Sequence, residues 1–217
     1  MRAEDQELWD LYAILKLLDS VNESGGHADN LKIQKLTFLH ELKGQEEGLR
    51  SAHFKFFRYN LGPYSKILAE DVKRLEALGC ITKTSRQLTK RGRFLLELLG
   101  DDAAQSHVAK RAAELIEEIA RQHGKKRSPR LVDEVYAMRV PVYDLGGHVE
   151  SVRNIAMFLD ILDPVHMENL TEPALLSQET REIVKEELAI APENLEPTSH
   201  SYRAAVAGAL ERIQSLA

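Results

Sequence analysis

A chain of 217 residues with 43% hydrophobic content can form one large domain or two small ones, each with a buried core. It contains no apolar run of the roughly 20 residues that a membrane-spanning helix requires and no apolar secretory signal, so we expect a cytoplasmic protein that does not enter a membrane. A single cysteine, Cys80, excludes an intramolecular disulfide and a cysteine-rich zinc site, and the net charge of -5 is divided between a basic and an acidic part of the chain.

Two amphipathic helices and a strand are expected in the first part of the chain. Leucines at helical spacing predict a helix over residues 6–21, and a broad apolar face predicts a second helix over 31–42 with Asn30 as its N-cap. A loop rich in Ser and Gly, residues 22–30, should connect them. Alternating aromatic residues then predict a strand over 53–59.

The stretch 59–93 carries the most specific fold signal. Gly62 and Pro63 predict a turn, after which Ser65 is expected to cap a helix that begins near Lys66. Apolar residues recur every three or four positions until Gly79, a residue type that tolerates the positive φ of a helix end.

The residues after this helix predict the rest of a winged helix. Residues 80–82 should form a short strand, 85–86 a polar tip, 87–89 a return strand and 93–99 another helix. Helix, strand, tip, strand and helix in this order are typical of a winged helix. We therefore predict a mainly α fold with a small antiparallel β wing, in which a winged-helix domain spans residues 1–100.

The remaining residues are predicted to be almost wholly helical. A connecting helix and a basic linker, 124–130, should occupy residues 101–130, and an acidic helical region should occupy 131–217. The linker is interpreted as a solvated connector, with contact to phosphates or to an acidic partner as the alternative. The predicted helices of these parts cover residues 103–123, 131–138, 149–162, 173 or 177 to 190, and 199–216.

Basic charge is concentrated around the predicted wing. Residues 53–93 contain ten Lys or Arg and three Asp or Glu, whereas residues 131–217 contain six and fifteen. Because Lys and Arg neutralise phosphates, DNA binding is one functional hypothesis. Against it, Glu70 and Asp71 lie near the start of the helix that would enter the major groove, where carboxylates repel the DNA backbone. The candidate nucleic-acid contacts are Lys66, Lys73, Arg74, Arg86, Lys90 and Arg91.

The sequence lacks the common catalytic and metal-binding patterns. It has no phosphate-binding glycine loop, dinucleotide fingerprint or Gly-x-Ser-x-Gly elbow, and its histidines lack the spacing of metal ligands, so we expect neither a cofactor nor a metal. Cys80 is interpreted as a small buried side chain rather than a nucleophile. The one catalytic alternative is His148, which follows Gly146 and Gly147 and could act as a general acid or base if a pocket surrounded it.

Several segments in the first half of the chain resemble a known family. They are residues 32–39 (KIQKLTFL), 54–59 (FKFFRY), 61–65 (LGPYS), 75–81 and 88–92 (LTKRG). Together they are similar to the YwgA-like family and, more distantly, to the Panacea domain of SocA-like antitoxins, over roughly residues 5–100. The family-motif positions are Lys35, Gly62, Pro63, Tyr64 and Ser65.

This resemblance implies a non-enzymatic module that binds another protein, which is a toxin or a protease component in the antitoxin cases. Our first hypothesis is therefore an antitoxin-like interaction protein that binds an unidentified protein partner through its winged helix. A DNA-binding winged-helix transcriptional regulator is the alternative. The sequence does not indicate an oligomeric state.

Overall fold

The computed structural model describes residues 2–142, 148–162, 170–173 and 177–190. These residues form a mainly helical protein with a small antiparallel sheet. The helices are α1 (Glu4–Glu23), α2 (Asn30–Glu46), α3 (Lys66–Ala77), α4 (Lys90–Ala103), α5 (His107–His123), α6 (Ser128–Ala137) and α7 (Gln178–Ala189). The strands are β1 (Phe56–Tyr59), β2 (Gly62–Tyr64), β3 (Arg139–Val142), β4 (His148–Ser151) and β5 (Asp160–Ile161).

Helix α1 lies at the centre of the packing. It is buried over most of its length, with Leu15 and Leu18 fully buried, and it contacts α2, α3, α4 and α5. Acidic residues in its first turn, among them Glu4 and Glu7, lie where they offset the positive end of the helix dipole. The helix predicted over residues 6–21 is therefore confirmed, with two further residues at each end.

Helix α2 has a different cap from the one expected. The side chain of Asp29 accepts a hydrogen bond from the backbone N–H of Lys32 (2.7 Å), whereas Asn30 is the first helical residue. The Asp29 carboxylate thus satisfies a donor that the helix itself leaves unpaired. The Asn30 side chain instead accepts a hydrogen bond from Arg86 (3.0 Å). The prediction of Asn30 as the cap is wrong by one residue.

A two-residue hairpin replaces the turn expected at Gly62 and Pro63. Strands β1 and β2 pair antiparallel with Tyr59 opposite Gly62, so the two residues between them form the turn. Gly62 has φ +93°, a conformation that glycine adopts at little steric cost. The turn prediction is therefore wrong, because Gly62 and Pro63 both lie in β2. Strand β1 covers only the last four residues of the strand predicted over 53–59.

Helix α3 has the ends that its flanking residues predict. The Ser65 side chain accepts a hydrogen bond from the N–H of Leu68 (3.4 Å), and Gly79 follows the helix with φ +68°. The two strands predicted for the wing are not formed, and one antiparallel bridge between Ile81 and Leu88 stands in their place. The winged-helix assignment stays a prediction.

Helix α4 begins three residues before the predicted start, because Thr89 caps it. The Thr89 side chain accepts a hydrogen bond from the N–H of Gly92 (3.2 Å) and donates one to the carbonyl oxygen of Gly79 (2.7 Å). One threonine therefore starts α4 and holds it to the end of α3.

The helix predicted over residues 149–162 is wrong. This segment forms β4, a turn and β5, while its apolar residues Val152, Ile155 and Leu162 are buried as a helix would have buried them. An apolar spacing of three or four residues fits both paths in so short a segment. Pairing of β4 with β3, and of β5 with β1 and β3, satisfies the backbone groups of the strand path.

The sheet joins distant parts of the chain. Its strand order is β2-β1-β5-β3-β4, and Ile161 of β5 lies opposite both Phe56 of β1 and Val142 of β3. The buried apolar residues form one cluster that extends from Leu8 to Val184. The division into residues 1–100, 101–130 and 131–217 stays a prediction.

The predicted linker over 124–130 is shortened by a helix. Helix α6 begins at Ser128 and contains Pro129 in its first turn, where proline removes no hydrogen bond from the helix. Helix α7 confirms the prediction that ended at residue 190, whereas the helix predicted over 199–216 lies outside the described residues. None of the helices in the described ranges has both the length and the apolar character needed to cross a bilayer.

Candidate functional site

A groove opens between α2, α3 and the tip of the β1–β2 hairpin. Its volume is about 460 Å³, within the size range of small-molecule and peptide side-chain sites. Helix α2 contributes Ile33, Gln34 and Lys35 to the lining, and α3 contributes Ala69, Val72 and Lys73. The hairpin contributes Tyr59, Leu61, Gly62 and Tyr64.

The junction between the hairpin and α3 is fixed to α2 by one amide side chain. Gln34 accepts a hydrogen bond from the backbone N–H of Ser65 (2.7 Å) and donates one to the Ser65 carbonyl oxygen (2.9 Å). Both groups are buried, so each would be costly to leave unpaired. The two hydrogen bonds therefore join α2 to the residue that caps α3, beside the groove.

Lys35 lies in the wall of the groove and is almost completely buried, with 2% of its surface exposed. Its Nζ donates a hydrogen bond to the carbonyl oxygen of Pro63 (2.7 Å). Burial, together with a smaller effect of the cationic Arg58, lowers the pKa of Lys35 to about 7. A Cβ on Gly62 would lie 3.6 Å from this Nζ, an ordinary van der Waals contact, so the glycine places no side chain against the amine.

The structure brings together the five positions that the family resemblance marks. Lys35 contacts Pro63, Gly62 lies beside the lysine amine, and Ser65 caps α3. Tyr64 lines the groove. Lys35 precedes the other four positions by 27 to 30 residues along the chain, and the hydrogen bonds of Gln34 and Lys35 join the two segments where α2 meets β2 and the start of α3.

An aromatic cluster borders the groove on the outer face of the sheet. It consists of Phe57, Tyr59, Tyr64 and Phe158, with ring centroids 5.5 to 6.2 Å apart for its contacting pairs. Tyr59 and Tyr64 belong to both the cluster and the groove lining. The groove and the aromatic cluster therefore form one continuous apolar surface.

Phe158 lies in this cluster with an unfavourable backbone conformation. Its φ is +68°, a left-handed value that bulky residues rarely adopt, and its N–H donates to the carbonyl oxygen of Arg58 (2.7 Å). Even so, 65% of the residue is exposed. Leu61 at the hairpin tip and Met157 beside Phe158 are also exposed, by 52% and 47%. Contiguous exposed apolar residues of this kind mark interaction sites.

The candidate nucleic-acid contacts are not equally available. Lys66, Lys73 and Lys90 are exposed on the surface. Arg74 is exposed but lies 3.3 Å from Glu7, and Arg86 forms an ion pair with Glu76 in addition to its hydrogen bond to Asn30.

Arg91 is a correction to the sequence prediction. It is 3% exposed and forms an ion pair with Glu187 of α7 (3.2 Å), and it donates a hydrogen bond to the carbonyl oxygen of Leu78 (2.6 Å). A phosphate cannot reach a guanidinium in this position. Its role is to join α4, α7 and the end of α3.

The two acidic residues that weighed against DNA binding have different positions. Asp71 is buried and accepts two hydrogen bonds from Arg2 (2.7 and 3.0 Å), and burial raises its pKa. Glu70 is exposed and lies 3.7 Å from Lys66. Only one of the two carboxylates therefore faces away from the protein on α3.

Neither candidate for chemistry lies in the groove. Cys80 is fully buried, and burial raises the pKa of its thiol to about 11, which confirms the small buried side chain expected from the sequence. His148 is exposed at the start of β4, and its neighbours Gly146 and Gly147 lie outside the described residues. Within the described ranges, no group of three or more His, Cys, Asp or Glu is arranged to hold a metal ion.

The aromatic cluster was not anticipated from the sequence. Phe158 lies in a segment predicted to be helical, and its contact with Phe57 depends on the pairing of β1 with β5. The aromatic residues at 54–59 predict a strand, but their pattern does not indicate which face of that strand is exposed. The only sequence signal for the groove is the set of family-motif positions that includes Lys35, Gly62 and Pro63.

No protein-family description, curated protein or solved structure matched this chain in comparisons with each. The resemblance to the YwgA-like family and to the Panacea domain therefore stays a prediction from the quoted segments.

Proposed function

We propose that this protein is a non-enzymatic, cytoplasmic winged-helix protein that binds a partner protein. The observation that carries the proposal is the continuous apolar surface formed by the groove and the aromatic cluster. In this surface Phe158 is 65% exposed and has a left-handed backbone conformation. Aromatic side chains presented around an apolar pocket are typical of the energetic centres of protein interfaces. Strained residues also concentrate at functional sites.

The shape of the surface favours a segment of a protein as the occupant. A groove between two helices accepts the apolar side chains of a helical or extended segment, and the aromatic cluster provides a flat surface beside it. The resemblance to antitoxin-like modules implies the same class of function.

The proposal is tested by affinity capture from the native host with matched variants. Ala69 lies on α3 in the groove lining, so Ala69→Trp should fill the groove, and Phe158→Ala should remove the exposed ring. Lys110→Trp adds the same large ring at an exposed position of α5 and is the control. We expect one partner to be retained by the wild type and by the control and lost from the two surface variants.

The captured partner is then purified and its Kd is measured by calorimetry with the same four proteins. Equal binding by the wild type, Ala69→Trp and Phe158→Ala would contradict the proposal, because the partner would then use another surface. A partner that dissociates from the control variant would also contradict it.

DNA binding is a second candidate, favoured by one observation. Lys66 and Lys73 are exposed on α3, Lys90 is exposed at the start of α4, and Asp71 faces inward. In a winged helix, α3 would be the recognition helix and the Ile81–Leu88 bridge the base of the wing. The test is fluorescence anisotropy with a DNA duplex over a range of salt concentrations. Changing Lys66, Lys73 and Lys90 together to alanine would remove three phosphate contacts, so this variant should reduce the slope of log affinity against log salt by about three. An unchanged slope would reject this candidate.

A further inference from the structure

We propose that the groove receives an acidic side chain of the partner protein, whose carboxylate accepts a hydrogen bond from Nζ of Lys35. This inference rests on the proposed function, since it names the chemistry of the segment that would occupy the same groove. It identifies Lys35 as a binding residue, a role that differs from the purely structural contact it makes with Pro63.

The first support is the incomplete hydrogen bonding of a buried amine. A lysine ammonium has three donors, and the described residues provide one acceptor within hydrogen-bond distance, the carbonyl oxygen of Pro63 at 2.7 Å. The residue is 98% shielded from solvent, yet it lines the groove. Buried charged groups are costly without partners, so the remaining donors favour an acceptor that enters from the groove.

The second support is the charge of the surrounding wall. Lys73 lies on the α3 side of the groove, and Arg86 lies at one end, where Glu76 already pairs with it. Among the described residues, the charged neighbour with the strongest effect on the pKa of Lys35 is Arg58, which is also a cation and lowers that pKa. The groove therefore has an excess of positive charge around an otherwise apolar lining. An anionic group on an apolar segment complements both properties.

The third support is the access to the amine. Gly62 lies beside Lys35, and the position that a Cβ would occupy there, 3.6 Å from Nζ, carries no side chain. A carboxylate in a desolvated position forms shorter and stronger hydrogen bonds with an ammonium than a neutral acceptor does. The apolar lining of the groove would bind a hydrophobic residue next to the acidic residue in the partner's sequence. A partner segment that lies across the groove would present both side chains to it.

The test uses three short peptides as probes, followed by NMR titration of the full chain. The first is N-acetyl-Phe-Glu-amide, the second is N-acetyl-Phe-Gln-amide, and the third is N-acetyl-Phe-Gln with a free C-terminal carboxylate. We expect the Glu peptide to bind about tenfold more tightly than the Gln amide, as one charge-assisted hydrogen bond would give. Its binding should also shift the ¹³Cε resonance of Lys35 in the wild type.

Two variants distinguish the contribution of the Lys35 amine from a general effect of removing a positive charge. Lys35→Met keeps a long apolar side chain and should remove the preference for Glu over Gln, while Lys110→Met, a change at an exposed lysine of α5 outside the groove lining, should keep that preference. Equal affinities of the wild type for the Glu and Gln amides, or a preference that survives in Lys35→Met, would overturn the inference. Tighter binding of the free C-terminal peptide than of the Glu peptide would overturn it in favour of a terminal carboxylate. No binding of the Glu peptide at millimolar concentration would also overturn it.

The same experiments distinguish failure of this inference from failure of the proposed function. If the captured partner depends on Ala69 and Phe158 while the peptides show no Lys35-dependent preference, the groove binds protein without an acidic anchor. If the peptides show the preference while the captured partner ignores Ala69→Trp, the anion site stands and the proposed function fails. The ¹³Cε shift in the wild type keeps the test valid even if Lys35→Met folds poorly.

Discussion

Arg91 and Glu187 form an ion pair between α4 and α7, with 3.2 Å between Nε and Oε1 and with 3% and 4% of their side chains exposed. Burial raises the pKa of Glu187 although the Arg91 guanidinium acts in the opposite direction. Removing one member of such a pair leaves a charged group without a partner in the interior, whereas replacing both by apolar residues removes the need for compensation.

The first prediction concerns this pair. Arg91→Met should lower the free energy of unfolding by about 3 to 5 kcal/mol, and Arg91→Met with Glu187→Leu should recover most of that loss. Urea denaturation of the wild type, both single variants and the double variant provides the cycle. The control is Arg74→Met, which breaks an exposed pair with Glu7 and should cost no more than about 1 kcal/mol. If the loss of unfolding free energy in the double variant equals the sum of the losses in the two single variants, this account is contradicted.

The local signals around α3 could be predicted from the sequence because they act over a few residues. Ser65 caps the helix that follows it, and Gly79 ends that helix with a positive φ. The burial of Arg91 could not be predicted, because its partner is 96 residues away. A basic residue at the start of a helix has the same local pattern whether it faces DNA or a buried glutamate.

The candidate site was predictable only in part, for the same reason. The family resemblance marks Lys35 and Gly62 as motif positions, but the hydrogen bonds between Gln34 and the backbone of Ser65 that join the two segments have no local signal in the sequence. The position of Phe158 requires β5 to pair with β1, about 100 residues earlier in the chain. Periodicity over 149–162 favoured a helix, and only that long-range pairing decides against it.

The second prediction uses two glycines of α4 as a matched pair. A Cβ on Gly92 would overlap the carbonyl oxygen of Cys80, so Gly92→Ala should lower the free energy of unfolding by about 2 kcal/mol or more. A Cβ on Gly100 would lie 3.7 Å from the Tyr12 ring, an ordinary contact. Gly100→Ala should therefore raise stability by about 0.5 to 1 kcal/mol, because alanine restricts the unfolded chain. Thermal and urea unfolding measure both, and equal effects would refute the proposed contact at Cys80.

The third prediction concerns Arg2, which donates hydrogen bonds to Asp10 (2.6 Å) and Asp71 (2.7 and 3.0 Å). Burial raises the pKa of Asp71 in the folded protein, so the folded state binds a proton there more tightly than the unfolded state does. Without the Arg2 guanidinium, the folded state should bind the Asp71 proton still more tightly relative to the unfolded state. Arg2→Met should therefore destabilise strongly at pH 7 and progressively less as the pH falls and the Asp71 carboxyl becomes protonated.

The measurement for Arg2 is urea denaturation of the wild type and Arg2→Met between about pH 4 and pH 7, with the difference between the two curves as the readout. Lys66→Met serves as the control here, since its partner Glu70 is exposed and the difference should change little with pH. A constant difference for Arg2→Met across this range would show that Asp71 does not respond to the loss of Arg2.

The fourth prediction separates backbone strain from side-chain contact at Phe158. Glycine adopts φ +68° without the steric cost that other residues have, so Phe158→Gly should be about 1 kcal/mol more stable than Phe158→Ala. Both variants lose the same ring contacts with Phe57 and Tyr59. Both should lose the partner of the proposed function. Equal stabilities of the two variants in urea denaturation would show that the strain at this residue is negligible.

The fifth prediction concerns the pH dependence that Lys35 gives to folding. Burial lowers the pKa of Lys35 to about 7, against an ordinary value of 10.5 in the unfolded chain. Between these two values the unfolded state binds more protons than the folded state, so the stability contributed at this site rises with pH. Each pKa unit of difference corresponds to about 1.4 kcal/mol. Below pH 7 both states are protonated, and the full cost of the buried charge remains.

Lys35→Met removes this titration, so the stability of the wild type should increase relative to the variant as the pH rises from about 7 to about 10. Urea denaturation at several pH values in this window measures the difference, and Lys73→Met, an exposed lysine of the same groove, is the control. Wild type and Lys35→Met curves that run parallel would mean that the lysine keeps its ordinary pKa. If the difference instead fell with pH, an acidic neighbour would stabilise the ammonium, and the groove would have no need of a carboxylate from the partner.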